Sequence, residues 1–172
     1  ARLSLGLLMQ PDGVAVFWPA AGISSGVLIA LGARARAFVA LGAVIGTIPA
    51  NLLGDRDFWA TAVFALSNAG EALITAALIQ RWFGAGFNLN RLRNVLGLFA
   101  AAAVGPAVSG IGGSIGYKLF HSPTVPMLTT WLHWFISDTL GIIAVAPVLI
   151  GVAAAVREPP RRSELFESFL VL

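Results

Sequence analysis

The stretch Trp131-Leu-His-Trp-Phe-Ile-Ser-Asp-Thr-Leu-Gly141, which continues as an apolar run to Pro147, decides the fold class of this chain. It places one ionisable side chain, Asp138, near the middle of a run long enough to cross a membrane. A second apolar run does the same with Glu71, inside Asn68-Ala-Gly-Glu71-Ala. These two carboxylates at about the same membrane depth are the strongest functional signal in the sequence, because ionisable residues inside a membrane are rare and mark functional sites.

The composition is that of a membrane protein. Of the 172 residues, 58% are hydrophobic and only 11% are charged, whereas a soluble domain has about 25% charged residues. Apolar runs of about 20 residues recur, and the alternating stretches of about 10 residues that are typical of an outer-membrane barrel are not visible. We therefore predict an all-α, polytopic helical membrane bundle.

Several classes of chemistry are excluded or unsupported. The chain has no cysteine, which excludes disulfides, cysteine-ligated zinc and a cysteine nucleophile. Its two histidines have no metal-ligand spacing, so no metal site is predicted, and the sequence leaves any cofactor unknown. It contains no P-loop, dinucleotide fingerprint or nucleophile elbow, and the net charge of +3 gives no argument for nucleic acid. We expect no enzyme in this chain.

The hydrophobic pattern predicts about six membrane spans and the start of a seventh. Residues 3–9 would form the outer end of a first span, closed by the turn Gln10-Pro-Asp-Gly13. The next spans are predicted over 14–31, 37–53, 58–83, 94–120 and 126–156, and residues 164–172 begin what resembles another helix. Since both ends fall inside apolar helices, we interpret residues 1–172 as a single transmembrane domain that is truncated at both ends.

The basic residues gather on one side of this predicted topology. The set on that side is Arg34, Arg36, Arg81, Arg91, Arg93, Arg157, Arg161 and Arg162. The opposite side keeps Asp12, Asp55, Arg56, Asp57, Lys118 and His121. Because an excess of Lys and Arg marks cytoplasmic loops, the arginine-rich side is predicted to be cytoplasmic.

Small residues at helical spacing predict where helices approach closely. In lipid, helices associate largely through close backbone packing, which small residues permit. The candidate packing positions are Gly22 and Gly26 in the second span and, four residues apart, Gly97, Ala101, Gly105, Ser109 and Gly113 in the fifth. We therefore expect the fifth span to be central, and its segment 109–114 to favour a local break in the helix.

The candidate ligand or proton site is built from polar residues in the middle of three spans. Ser67, Asn68, Glu71 and Thr75 share one helix face, and Trp131, Trp134, Asp138 and Gly141 share another, flanked by Ser137. Asn51 lies toward the outer end of the third span. The candidate site residues are therefore Glu71, Asp138, Asn68, Asn51, Ser137 and Trp134.

The two carboxyl groups leave three states open. They are protonated and hydrogen-bonded, they share a proton, or they hold a cation or a cationic ligand group. The alternative without a ligand is that Glu71 and Asp138 are neutral pegs that hydrogen-bond neighbouring helices, with about 0.6 kcal/mol from each bond. The histidine nearest this site, His133, is not on the face of Asp138, and we interpret it as structural or interfacial.

Several motifs together resemble the first type of membrane-associated sensor domain, in the MASE family. They are Trp18-Pro-Ala-Ala-Gly22-Ile, Ala50-Asn-Leu-Leu53, Asn68-Ala-Gly-Glu71-Ala, and Trp131-x-x-Trp134-x-x-Ser137-Asp138-x-Leu-Gly141 followed by Ala146-Pro147. The resemblance covers essentially the whole chain. It implies about eight transmembrane helices with both ends cytoplasmic, in the bacterial inner membrane. Its signature positions would be Trp18, Pro19, Gly22, Asn51, Glu71, Asp138, Gly141 and Pro147.

The resemblance also implies a function and partners. Domains of this type precede histidine kinase, PAS, diguanylate cyclase or phosphodiesterase modules, so a kinase or cyclase module in the same polypeptide is expected. The bilayer and a second copy or another membrane protein are the remaining expected partners. Two other functions stay open at this point: a transporter or solute-binding membrane subunit, and an accessory subunit of a larger membrane complex.

Overall fold

The computed structural model describes residues 8–54, 56–84 and 86–157. Within them, five helices follow a small hairpin in which β1 (Leu8–Met9) pairs antiparallel with β2 (Val14–Ala15). The helices are α1 (Pro19–Leu31), α2 (Arg36–Leu52), α3 (Phe58–Phe83), α4 (Leu92–Phe120) and α5 (Met127–Arg157), and a short 3₁₀ helix (Ala33–Ala35) joins α1 to α2. The predicted helical membrane bundle is confirmed.

The predicted number of spans is not supported. The described residues contain four helical segments long and apolar enough to cross a membrane, Ala33–Leu52, Phe58–Phe83, Leu92–Phe120 and Met127–Arg157, while α1 has only 13 residues. The second predicted span is wrong at its start, because Val14 and Ala15 pair with β1. The first is wrong at Leu8 and Met9 for the same reason. The rest of the first span, Asp55, and residues 158–172 with Arg161, Arg162 and the start of a seventh span lie outside the described residues.

Local chemistry explains where the helices begin and end. Pro19 occupies the first turn of α1, where a missing N–H costs nothing. The Asp57 carboxylate caps α3 by accepting hydrogen bonds from the backbone N–H groups of Trp59 at 2.8 Å and Ala60 at 3.3 Å. Gly84 ends the same helix at φ 74°, a conformation that glycine adopts without strain.

The helices pack side by side with alternating directions. Arg36 at the start of α2 donates a 2.7 Å hydrogen bond to Gln80 near the end of α3. Asn68 of α3 donates to the Thr47 hydroxyl, near the end of α2, at 3.1 Å. Helix α3 contacts α1, α2 and α4, and α5 contacts α1 and α4, whereas α2 lies at the edge of the bundle. Helices α1 and α3 therefore each contact three other helices, whereas the fifth predicted span, α4, packs mainly against α3 and α5 and is not central to the bundle.

The small residues of α4 lie against neighbouring helices. An added Cβ would meet the Phe83 ring at Gly97, the Thr75 hydroxyl at Gly105 and the Trp134 ring at Gly113. Ala101 is fully buried, and Ser109 hydrogen-bonds Glu71 of α3. The predicted break over 109–114 is wrong: α4 is one continuous helix, since its glycines face close neighbours instead of releasing the backbone.

Pro106 shows how the bundle compensates for a proline inside α4. Proline has no N–H, so the carbonyl four residues earlier, that of Ala102, loses its partner within the helix. The Thr139 hydroxyl of α5 donates to this carbonyl at 3.1 Å. A backbone group that would otherwise lack a partner in the membrane interior thus holds α4 against α5.

The six described arginines of the predicted cytoplasmic set collect at one end of the bundle, called here the arginine end. They lie in the α1–α2 connection, in the last turn of α3, at the start of α4 and at the end of α5, as Arg34, Arg36, Arg81, Arg91, Arg93 and Arg157. Arg157 donates a hydrogen bond to the Ala30 carbonyl, which joins the ends of α5 and α1. The hairpin lies at the other end, called here the hairpin end.

Helices α1 and α5 meet through two glycines. A methyl group added at Gly22 would lie 2.1 Å from the Gly141 carbonyl oxygen, and one added at Gly141 would lie 2.1 Å from the Trp18 carbonyl oxygen. One helical turn further on, Gly26 lies against Ala146. The two backbones therefore touch, and the start of α1 is held directly against the middle of α5.

This contact predicts that Gly141→Ala destabilises the bundle. The new methyl group meets backbone atoms that cannot rotate away, and overpacking of this kind costs about 1–3 kcal/mol. Unfolding in sodium dodecyl sulfate, followed by circular dichroism in mixed micelles, measures the change.

Gly151→Ala is the matched control in the same helix. No atom of another element lies within 4 Å of a Cβ added there, among the residues described. Because alanine favours a helix over glycine by about 1 kcal/mol, this variant should be as stable as the parent chain or more stable. Equal stability of the two variants would contradict the contact.

Candidate functional site

A cavity of about 310 Å³ opens at the hairpin end. Its walls come from the hairpin, the start of α1, the end of α2, the loop between α2 and α3, and the outer halves of α3, α4 and α5. The polar and aromatic residues that line it are Gln10, Asp12, Trp18, Asn51, Arg56, Phe64, Asn68, Tyr117, His121, Thr130, Trp134, Ser137 and Asp138. This volume is at the small end of the range for small-molecule pockets.

The hairpin is held over this cavity by Asp12. Its carboxylate lies 2.9 Å and 3.0 Å from Nδ1 of His133 on α5, and it also accepts the backbone N–H of Val14 at 3.2 Å. Asp12 is buried, while the His133 side chain is about one fifth exposed. The pair fixes the turn of the hairpin to the outer half of α5.

Arg56 provides a cation at the rim of the cavity. Its Nη2 donates to the Gly13 carbonyl at 2.6 Å, and its Cζ lies 5.8 Å from the centre of the Phe64 ring and 5.5 Å from that of Tyr117. Burial lowers the pKa of this guanidinium from its ordinary value, while Tyr117 and Asp12 act in the opposite direction. An arginine remains charged in spite of such shifts.

The inner wall of the cavity carries Asn68 and Asp138. Asn68 lies ten residues after Phe58, the start of α3, and Asp138 eleven after Met127, the start of α5. At 1.5 Å per residue both are roughly 15 Å below the helix ends. Asp138 is only 3% exposed, so its carboxyl group is inside the bundle and reaches open space only through the cavity.

Six buried polar atoms of cavity-lining residues have no hydrogen-bond partner in the described part of the chain. They are Arg56 Nη1, Asn68 Oδ1, Thr130 Oγ1, Trp134 Nε1, Ser137 Oγ and Asp138 Oδ2. The last three lie beside the Glu71–Asp138 pair and interact with it, so the atoms that most clearly lack a partner are those of Arg56, Asn68 and Thr130. Native proteins pair most of their buried polar groups, because each one left alone costs about 1–3 kcal/mol. Their concentration around one cavity marks it as the best candidate for a binding site.

Glu71 lies behind the cavity wall and not on it. Its Oε2 accepts a 2.5 Å hydrogen bond from the Ser109 hydroxyl of α4, and its side chain is 1% exposed. The carboxyl groups of Glu71 and Asp138 are neighbours, and the Trp134 indole lies beside Glu71. Two adjacent carboxylates in a low-dielectric interior resist ionising together, which favours a proton shared by the pair.

The structure brings five of the six predicted site residues to the cavity: Asn51, Asn68, Trp134, Ser137 and Asp138. Asn51 donates to the Thr47 carbonyl of its own helix at 3.0 Å, so its amide nitrogen is already used. The sixth residue, Glu71, reaches the cavity only through Asp138.

Several residues that line the cavity are not among the predicted site residues. Asp12, Arg56 and His121 enter the sequence prediction only as charges on the sparsely charged side, and Phe64, Tyr117 and Thr130 do not enter it. The available signal was Arg56 itself, one of two basic residues that the predicted topology leaves opposite the arginine-rich side. The Asp12–His133 pair joins residues 121 positions apart, and no local pattern reports such a contact.

Comparison with protein families gives one match. The model of the MASE1 family covers residues 1–172, which is the whole chain. The chain belongs to the MASE1 family. The resemblance seen in the sequence is thereby confirmed. No curated protein and no solved structure matches the chain in the corresponding comparisons.

Membership in the MASE1 family indicates what kind of site this domain needs. MASE1 domains are membrane sensory input domains and are not themselves catalytic. A MASE1 domain needs a place where a stimulus acts and a packing that responds to it. In this chain the described features to consider for these two roles are the cavity at the hairpin end and the glycine contact between α1 and α5.

The Glu71–Ser109 hydrogen bond predicts a stability effect. Ser109→Ala removes the donor to a buried carboxyl group, and the loss should destabilise this MASE1 domain by about 1 kcal/mol. Ser24→Ala is the control, because that hydroxyl donates only to carbonyls of its own helix, at 2.9 Å and 3.2 Å. Unfolding in sodium dodecyl sulfate compares the two, and an effect of Ser24→Ala as large as that of Ser109→Ala would contradict a specific role for this bond.

Proposed function

We propose that this MASE1 domain is the input part of a signalling protein in the bacterial inner membrane, and that a small ligand in the cavity is its stimulus. The ligand changes how α1 packs on α5, and the change passes to a cytoplasmic histidine kinase or diguanylate cyclase module of the same polypeptide. The observation that carries the proposal is the set of buried polar atoms around the cavity that lack a partner among the residues that the structure describes.

The contacts of Trp18 and Ser137 support a route from the cavity into the bundle. Both residues line the cavity, and the Trp18 backbone N–H donates to the Ser137 carbonyl at 3.4 Å. The Gly22–Gly141 contact lies one turn below. A molecule that presses on this junction therefore acts on the α1–α5 interface directly.

Helix α5 would carry the change to the other end of the bundle. It has 31 residues and runs from the cavity to Arg157, which bonds the last turn of α1. At 1.5 Å per residue it spans roughly 45 Å. Coupling requires that the ligand bind two packings of the bundle unequally, because a ligand with equal affinity for both shifts nothing.

The arginine end supports the proposed orientation. Six arginines collect there, and cytoplasmic ends of membrane proteins carry such an excess. The cavity would then face the outer side and the kinase or cyclase the inner side. The exposed apolar faces, such as Phe38 at 80% exposure, would contact lipid or a second copy of the domain.

Single cysteines test this orientation, because the chain has none of its own. Ser122→Cys lies in the loop at the hairpin end, and Arg91→Cys lies at the arginine end. In intact spheroplasts a membrane-impermeant maleimide should label Ser122→Cys and should label Arg91→Cys only after lysis. The opposite pattern would overturn the orientation.

Substitutions in the carboxyl pair, Glu71 and Asp138, test the proposed signalling role. With a diguanylate cyclase joined after residue 172, Asp138→Asn and Glu71→Gln should each change cyclic di-GMP in cells about fivefold or more, the lower end of usual allosteric coupling. Protein amount and unfolding should stay near the parent values, since each change keeps the shape of the side chain.

Asp57→Asn is the matched control for these variants. It makes the same chemical change at the cap of α3, outside the cavity, and asparagine caps a helix as well as aspartate does. If all three variants signal like the parent chain, the carboxyl groups are structural pegs and the signalling proposal is wrong at this site. Proton-coupled uptake that is lost in Asp138→Asn would instead favour a transporter.

A further inference from the structure

The chemistry of the ligand can be inferred from the unpartnered atoms at the two depths of the cavity. At the rim, Arg56 uses Nη2 on the Gly13 carbonyl, and its Nη1 is buried without a partner among the described residues. Asp12, a carboxylate that acts on Arg56, already accepts from His133 and from Val14. A buried guanidinium N–H on a residue that lines a cavity favours an acceptor there, and a carboxylate is its best partner.

The inner wall presents hydrogen-bond acceptors, so it favours a ligand group that donates hydrogen bonds. Asn68 donates its amide nitrogen to Thr47, which leaves the acceptor Oδ1 unpaired within the described ranges. The Asp138 carboxyl group, beside Glu71 and Ser137, adds further acceptor oxygens at this wall. Thr130 and Ser137 add hydroxyl oxygens that are buried in the same way. An ammonium group has three donors and no acceptor, so it matches this cluster.

The two ends are separated by a short distance. The Arg56 guanidinium lies against Phe64, which is one turn of α3 before Asn68. One turn advances about 5.4 Å along a helix. Arg56 and Asn68 therefore line the same cavity at neighbouring levels of α3, and Asp138 lines its inner wall.

The walls between these ends are aromatic. Trp18, Phe64, Tyr117 and Trp134 all line the cavity. Aromatic faces attract cations, and they pack against a short apolar chain. The volume of about 310 Å³ admits a small molecule and excludes a peptide of any length.

We infer that the cavity binds a small zwitterion of the amino-acid class, with its carboxylate on Arg56 and its ammonium group on Asp138 and Asn68. The inference rests on the proposed function only in taking this cavity as the input site. Ser109 and the Trp134 indole are donors beside Glu71, which favours its ionised form and leaves the shared proton on Asp138 in the empty cavity. An ammonium group beside Asp138 favours the ionised form of Asp138, so binding would move this proton to Glu71.

Binding to the purified chain in nanodiscs tests the inference. The probes are glycine, β-alanine, 4-aminobutyrate, leucine and lysine, each compared with the acid that lacks the amine and with the amine that lacks the acid. Tryptophan fluorescence reports occupancy, since Trp18 and Trp134 line the cavity, and thermal unfolding gives a second readout. At least one zwitterion should bind at least tenfold more tightly than both of its singly charged analogues.

Two variants test which side chain binds which end of the ligand. Asp138→Asn should abolish the preference for the zwitterion over the acid, and Arg56→Gln should abolish the preference over the amine. Arg56→Lys keeps the charge without the planar fork of arginine, and should retain part of the second preference even if the glutamine variant folds poorly. The controls are Asp57→Asn and Lys118→Gln, which make the same changes outside the cavity and should bind as the parent chain does.

The results separate this inference from the proposed function. If no zwitterion binds, or if an amine or an acid binds as tightly, the inference is overturned. If the preferences survive Asp138→Asn and Arg56→Gln, it is overturned as well, because the molecule is then held elsewhere. The effect of the carboxyl variants on cyclic di-GMP does not depend on any probe, so the proposed input role stands or fails on that experiment alone.

Discussion

The contact between the backbones of Gly22 and Gly141 is the constraint on which the rest of this structure depends. Neither position has room for a methyl group, because each would meet a carbonyl oxygen of the other helix. The contact brings the first turn of α1 against the middle of α5, and with it Trp18 against Ser137. Without this approach the cavity would lose one wall and α1 would lose its connection to α5.

The second constraint is the need of buried polar groups for partners in lipid. The bundle meets this need in most places. The Thr139 hydroxyl donates to the carbonyl that Pro106 frees, the Ser109 hydroxyl donates to Glu71, and the Asn68 amide donates to the Thr47 hydroxyl. Ten buried side-chain atoms of the described residues lack a partner, and six of them belong to residues that line the cavity, so the exceptions are concentrated there. A domain that must respond to a ligand requires such a place, because a site satisfied by its own side chains has nothing to gain from binding.

The position of the carboxyl pair fits an input domain. Asp138 touches the cavity, and Glu71 touches Asp138 from the far side while bonding α4. Any molecule that changes the charge of Asp138 therefore changes the proton balance of a pair that joins α3, α4 and α5. Burial makes this balance sensitive, since a charge in a low-dielectric interior interacts more strongly than it does in water.

The sequence by itself determined the fold class, four of the helices to within a few residues, and the family. This was possible because membrane helices are recognised by their length and hydropathy, and because acidic residues in them are so rare that a single one is informative. It predicted the turn over residues 10–13, but it failed at residues 8–9 and 14–18, where apolar segments form two short strands and a loop instead of membrane spans. Short apolar runs do not distinguish strand from helix. Only the tertiary structure decided that Asp12, Arg56 and His133 belong to the site and that Glu71 lies behind Asp138. These are contacts between residues far apart in the chain, and they depend on how helices pack, which no local pattern specifies.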